Sequence, residues 1–460
     1  MTTTHPVKER VTTIGEGGRR FWLYPAQFRG FWLKRRQWVS VILIALFFVL
    51  PWIKINGQQA ILLNVADRKF VFFGLVFWPQ DLYIFWFFVV AAVVGIFLIT
   101  AQWGRLWCGW ACPQTVFLEH VFRRIERWIE GDATKRKRLD RGPLTWEKIR
   151  KKTLKLSIFA AISIHFANTV LCYFAGSDHV VYMTFHAPEA NWNWFMFMAF
   201  LSFVFFADFA WFREQFCIIA CPYGRFQSAL LDEHSLIVGY DARRGEPRGK
   251  WRKGQVHTSG DCIDCNRCVA VCPTGIDIRM GLQMECVNCT ACIDACDEMM
   301  RKVNRPEGLI RYTSVRQLDQ KNRKAIRPRS IIYSALLLVL LSCGMWALAH
   351  KRSFTIQMLR SVGESMRVQD AKVINQFQLK IANQTADPLV LSANVPQEFE
   401  LITPLPQWKV EPQSTSVVPV FIAKPISEFS HTGKEKVQLQ FKQDDQVVFE
   451  NQVTLIGPSS

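Results

Sequence analysis

The sequence predicts a multi-domain membrane protein: an α-helical bundle of five spans, a bacterial-type two-cluster ferredoxin insert (α+β), and a C-terminal all-β immunoglobulin-like sandwich. Three observations predict it. Apolar stretches of near-membrane length recur up to Ala349, one cysteine spacing is written twice between Cys262 and Cys296, and the residues after Ser353 alternate like short strands.

Half of the 460 residues are hydrophobic and 13% are aromatic, yet mean hydropathy is only +0.08. That mixture fits spans joined to sizeable soluble parts, with room for three or more units. The apolar stretches run Trp38–Ile53, Leu82–Ala101, Leu156–Ala175, Trp192–Trp211 and Ile331–Ala349. Most approach the ~20 residues needed to cross a bilayer. The first is the shortest and contains Pro51. A basic leader precedes it, so no cleavable signal peptide is expected.

The net charge of +18 is placed unevenly. Lys8, Arg10, Arg19, Arg20, Arg29, Lys34, Arg35 and Arg36 precede the first stretch. Arg123, Arg124, Arg127, Lys135, Arg136, Lys137 and Arg138 lie between the second and third, and a further block follows the fourth. The intervening segments 54–81 and 176–191 are poor in Lys and Arg. This positive-inside pattern predicts a cytoplasmic N-terminus and cytoplasmic cysteine repeat, with the C-terminal end in the periplasm. It argues against nucleic acid as the partner of the basic residues and makes membrane lipid a partner instead.

The repeat reads Cys262-x-x-Cys265-x-x-Cys268-x-x-x-Cys272-Pro273, then Cys286-x-x-Cys289-x-x-Cys292-x-x-x-Cys296. Three thiolates at two-residue gaps wrap three corners of an iron–sulfur cube, and in two-cluster ferredoxins the last cysteine of each run ligates the other cluster. Cys262, Cys265, Cys268 and Cys296 are therefore expected on one [4Fe–4S] cluster, and Cys286, Cys289, Cys292 and Cys272 on a second. Zinc would use two pairs without the evenly spaced third thiol. A disulfide framework would need an oxidising compartment. Asp297 stands where the second run would usually carry proline.

Two further cysteine pairs, Cys108/Cys112 and Cys217/Cys221, each precede a proline and follow an apolar stretch, in what reads as a weak internal repeat. On a helix, positions i and i+4 share a face. Two such thiols can grip a soft metal ion or join as a disulfide, although cysteine also packs as a small hydrophobe. The pairs are read as a metal or redox site, with copper as the metal that the family resemblance given below implies. Whether they form one site or two is open. Cys172 and Cys343, alone within spans, are expected in packing. His165 and Asp208 are polar groups within spans, where such groups are costly. Packing is the expected role of His165, and contact with cations or water that of Asp208.

The domains expected are an N-terminal segment at 1–36, a four-span domain at 37–240, the double ferredoxin at 241–305, a basic linker at 306–330, the fifth helix at 331–350, and the sandwich at 353–460. Residues 240–260 read as a flexible polar linker. Ile374–Ile381, Ser416–Ile422 and Lys436–Phe441 carry strand patterns, and about seven short strands are expected in the tail.

Together with Arg20-Phe21-Trp22-Leu23-Tyr24-Pro25, Asp67-Arg68-Lys69-Phe70, Phe73-Gly74 and Pro79-Gln80-Asp81, these motifs resemble the FixG/CcoG family of cytochrome c oxidase accessory proteins. The resemblance implies assembly of the C-family haem–copper oxidase, with Cu(II) reduced to Cu(I) before delivery. A cytoplasmic electron donor and oxidase assembly factors or subunits are the partners it implies, and copper is the substrate. Two other readings stay open: a quinol-linked membrane ferredoxin of an anaerobic respiratory chain, and a non-enzymatic assembly scaffold.

Overall fold

The computed structural model describes residues 22–186, 188–251, 260–322, 327–351, 353–360, 366–385, 387–412, 414–429, 433–443 and 446–458. Lys8, Arg10, Arg19, Arg20, Phe21 and Gly254 lie outside the described residues. The chain forms two units: one runs to Gly344, and the other takes Met345 onward with the short segments 56–58 and 69–82.

Among the described residues, four helices are long and apolar enough to cross a membrane: Leu82–Trp103, Trp146–Ala175, Trp192–Phe212 and Pro328–Ala349. The first apolar stretch behaves differently. Its helix, Phe31–Val49, begins well before Trp38 and takes Lys34, Arg35 and Arg36 into its first turns. It gives way to a 3-10 turn at Leu50–Trp52, where Pro51 has no N–H to continue the ladder. The long helix Trp146–Ala175 starts at Thr145, whose side chain accepts from Lys148 N at 3.3 Å, and stops at Gly176 with φ 91°. Only a residue without a Cβ adopts that φ freely, so the helix ends there.

Rings join the segment that follows the second apolar stretch to the third and fourth stretches. Phe122 stacks on Phe209 at 4.3 Å, and Phe159 meets Phe122 edge-on at 4.8 Å. Below them lies a buried ion network: Glu126 pairs with Arg213 at 2.7 Å and Arg136 at 3.1 Å, and Arg123 pairs with Glu214 at 3.0 Å. Arg123 and Arg136 therefore serve the interior, although the sequence pattern counts them with the charges that set sidedness. Asp208 accepts from Gln114 Nε2 at 3.2 Å, so the side-chain partner the fold gives it is an amide and not a cation. His165 stacks on Phe48 at 4.8 Å. Cys172 is buried, but Cys343 is exposed on its helix, because an apolar spanning helix shows a small thiol outward as readily as inward.

The folded segment around the two cysteine runs is wider than the 241–305 expected. Strand Ile237–Tyr240 pairs antiparallel with Ile310–Thr313, so the ends of the segment leave side by side. The described part of the expected flexible linker is tied in: Asp261 N donates to Arg244 O at 2.9 Å, Gly260 N to Pro247 O at 2.8 Å, and Arg244 pairs with Asp261. The expected basic linker likewise contains that second strand, and Arg327 pairs with Asp232 and donates to Ala101 O at 2.8 Å.

In the second unit, one antiparallel sheet runs Glu400–Ile402, Thr415–Pro425, Lys372–Asn383, Phe354–Arg360, with Met366–Gln369 also on Lys372–Asn383. The other runs Trp408–Val410, Leu389–Asn394, Lys434–Gln443, Gln446–Ile456. Val373, Phe377, Leu379 and Ile381 alternate inward along one strand and join Leu391, Trp408, Ile422, Leu439 and Leu455 in the core. Period-2 burial of one face is what a sandwich requires. All three strands read from the sequence are present, within longer spans. In the same unit, Lys69–Phe72 and Leu75–Phe77 form a hairpin turned by Phe73 and Gly74, both at positive φ, the backbone of a type I′ turn.

Candidate metal centres

The two cysteine runs fold alike. Asp264 and Asn266 in the first loop, and Asn288 and Thr290 at the equivalent places in the second, all have φ between 50° and 61°. Left-handed residues before and after the middle cysteine curl each loop so that its thiols face inward. Asp and Asn accept that conformation most readily, whereas a β-branched Thr290 is held there against its preference.

Cys262, Cys265, Cys268 and Cys296 line one cavity of about 20 Å³, walled by Ile263, Met300, Leu309 and Ile310. Cys272, Cys286, Cys289 and Cys292 line a second of about 20 Å³, to which Cys268 also contributes. The helix Ala291–Lys302 spans both, presenting Cys292 to one and Cys296 to the other a single turn later. Asp297 accepts from Gly308 N at 2.9 Å, anchoring the outgoing loop with a side-chain acceptor that proline lacks.

Cys108, Cys112, Cys217 and Cys221 line a single third cavity of about 40 Å³, so the two pairs converge. The local backbone differs from a continuous helix. Leu106–Trp110 ends at Ala111, Cys112 is extended (φ −61°, ψ 125°), and Pro113 opens the next helix. The second copy repeats this, with Cys221 extended (φ −75°, ψ 112°) before Pro222. In each, the second cysteine N–H reaches back five residues, Cys112 to Trp107 O and Cys221 to Phe216 O, both at 2.8 Å. The proline terminates one helix and starts another, and this turn points both thiols of a pair at the cavity.

Cations that sequence reasoning treated as topology signals, or passed over, hold the centres together. Arg36, 4% exposed, donates from Nε to Gly109 O at 3.0 Å and from Nη1 to Cys289 O at 2.7 Å. Arg105, 3% exposed, donates to Cys286 O at 2.9 Å and to Met284 O, and lines the four-thiol cavity. Arg36 Nη2 and Arg105 Nε are buried without a partner. A buried guanidinium with an idle donor suits a negatively charged group nearby. Gln227 receives the Cys108 thiol at 3.4 Å. The one sequence signal for Arg105 was its place three residues before Cys108.

Burial pushes the thiols up: Cys286 to about 11, Cys289 to about 12 and Cys108 to about 12. Left free they stay protonated at neutral pH, and a metal that binds them displaces the proton. N–H groups stand ready for the thiolates, those of Asn288 at Cys286 and Ala291 at Cys289. The donor set, the repeated loops and the idle guanidinium groups fit [4Fe–4S] clusters, each taking four cysteine thiolates.

Comparison with known proteins agrees. A family described as "4Fe-4S dicluster domain" matches residues 212–315, and one described as "4Fe-4S binding domain" matches 85–132. The "IG-like fold at C-terminal of FixG" matches 344–458. The chain is similar to protein RdxA of Cereibacter sphaeroides, 38% identical over 330 residues that cover 68% of this chain and 69% of RdxA. Protein RdxB of the same organism gives the same identity and shares. The nitrogen fixation protein FixG of Rhizobium meliloti is 39% identical over 303 residues, 64% of this chain and 57% of FixG, so the match spans less than two thirds of that relative.

Proposed function

As the chain belongs to the FixG family, and is thus an iron–sulfur electron-transfer protein of the membrane, we propose that it passes single electrons to Cu(II) during assembly of a C-family haem–copper oxidase. One observation carries this reading: the three thiol-lined cavities adjoin in series. Cys268 lines the first and second, and Val287 lines the second and third.

When bound, [4Fe–4S] clusters supply one-electron transfer at generally low potential. The chain's own residues do the rest. Ile263, Leu309 and Ile310 keep water from the first cavity, and Val287 fills the wall between the other two. Each Cu(II) takes one electron and leaves as Cu(I), the electron coming from a soluble cytoplasmic donor. Thiolates favour Cu(I), so reduction is easiest where such ligands are close.

In this proposal Phe31–Val49 is the first of five spans, the iron-binding segment faces the cytoplasm, and the sandwich faces the periplasm, where it meets oxidase subunits or assembly factors. The uneven placement of Lys and Arg supports that arrangement. The test is titration of the anaerobically purified, dithionite-reduced full chain with Cu(II), read by cluster absorbance and a Cu(I)-specific chelator. Stoichiometric re-oxidation with Cu(I) release is expected. Clusters that stay reduced in excess Cu(II) overturn it.

A further inference from the structure

We propose that Cys108, Cys112, Cys217 and Cys221 together hold a third [4Fe–4S] cluster, in place of the copper that the family resemblance would put there. The inference concerns what the thiols bind and stands whether or not copper is the final acceptor.

Cysteine counting is the first support. The stretch 85–132, matched as a 4Fe-4S binding domain, contains only Cys108 and Cys112, which is half a ligand set. The dicluster match at 212–315 contains ten cysteines, of which the two regular runs use eight. Cys217 and Cys221 are left over, and these are the two that the fold brings to Cys108 and Cys112. A complete four-thiolate set results, drawn from both halves of the membrane domain.

Shape is the second. The four-thiol cavity, about 40 Å³, is at least as roomy as the two lined by the ferredoxin runs, about 20 Å³ each. Among the described residues, no three His, Cys, Asp or Glu side chains close on a point where one ion would sit. The ferredoxin thiols share that property, because a cube takes one thiolate at each of four separated irons. Four thiols around one cavity, with no three closing on a point, match a cube better than an ion.

Local chemistry is the third. At Cys112, the N–H groups of Gln114 and Thr115 face the sulfur, and the first of these repeats the n+2 relationship seen at Cys286 and Cys289. The idle Arg105 Nε stands at this cavity while Nη1 of the same guanidinium holds the Cys286 carbonyl at 2.9 Å. One buried cation thus serves two neighbouring anionic sites. Gly109 and Gly224 make the approach possible. A Cβ on Gly109 would lie 2.6 Å from Val287 O, and one on Gly224 would lie 2.7 Å from Cys217 O.

The test is an iron and acid-labile sulfide count on the anaerobically purified full chain, with Mössbauer quantification and copper analysis. About twelve irons and twelve sulfides per chain are expected, four per cube. The C217S/C221S double variant should retain about eight of each, with the spectra of the other two clusters unchanged. A wild-type count of about eight overturns the inference, as does copper bound stoichiometrically to the chain and lost in the variant. Should the variant fail to fold, the wild-type count alone decides. Twelve irons without copper-driven oxidation would sink the copper reading and leave this one standing; eight irons with such oxidation would do the reverse.

Discussion

Gly109 presses its α-carbon against the carbonyl of Val287, so close that a methyl group there would stand 2.6 Å from the oxygen. The contact joins the turn between Cys108 and Cys112 to the loop that begins at Cys286. Its neighbour Arg36 reinforces it, binding the carbonyls of Gly109 and Cys289 with one guanidinium.

Gly109→Ala should therefore destabilise the protein by about 1–3 kcal/mol, the usual cost of overpacking, since backbone on the far side cannot yield as a side chain would. Gly95→Ala is the control, for a Cβ there meets nothing within 4 Å. Thermal melts of both variants in detergent decide it. Equal melting temperatures would contradict the close approach.

Arg36→Met should orphan two buried carbonyls, at about 1–3 kcal/mol each, and remove a positive charge beside Cys289. The midpoint potential of the cluster on the Cys286 run should become more negative, because the reduced form carries the extra negative charge. Redox-poised EPR reads the shift. Arg36→Lys should keep most of the charge effect and lose the two-carbonyl grip.

Cys272→Ser and Cys296→Ser discriminate the crossed ligand sets. The first should perturb the signal that Cys286→Ser abolishes, and the second the one that Cys262→Ser abolishes. Local pairing, with each run serving its own cube, predicts the opposite assignment in EPR of the four variants.

Glu126→Gln should cost about 3–5 kcal/mol, the penalty of leaving buried cations without their partner. Burial pushes this carboxyl up, but Arg213, Lys155 and Arg136 outweigh it and hold it at about 2. A depressed folded value contributes stability that is complete above the unfolded carboxylate range near 4.3 and is lost as pH falls toward 2. Apo-protein melts at pH 7 and pH 3 should show the wild type losing more than the variant over that interval.

The cysteine runs, the spanning helices and the inward alternation of Val373, Phe377, Leu379 and Ile381 were legible because each is a short-range pattern with a fixed period. The convergence of Cys108 with Cys217 was not. It depends on the packing of Phe122 against Phe209, a contact between segments far apart in the chain. The interior roles of Arg36 and Arg123 were hidden for a related reason: a charge count cannot tell a solvated cation from one buried in a network. The helix Phe31–Val49 was placed too late because hydropathy stops at a lysine and two arginines, whereas the helical backbone runs through them.

The ribbon of Ile237–Tyr240 against Ile310–Thr313 has a mechanical meaning. A tug arriving along the polypeptide from either flank is caught at a clasp of four matched residue pairs before it can travel inward. The two chambers lined by the Cys262 and Cys286 runs lie between those strands in the chain, so a pull along the backbone meets the clasp before it meets them.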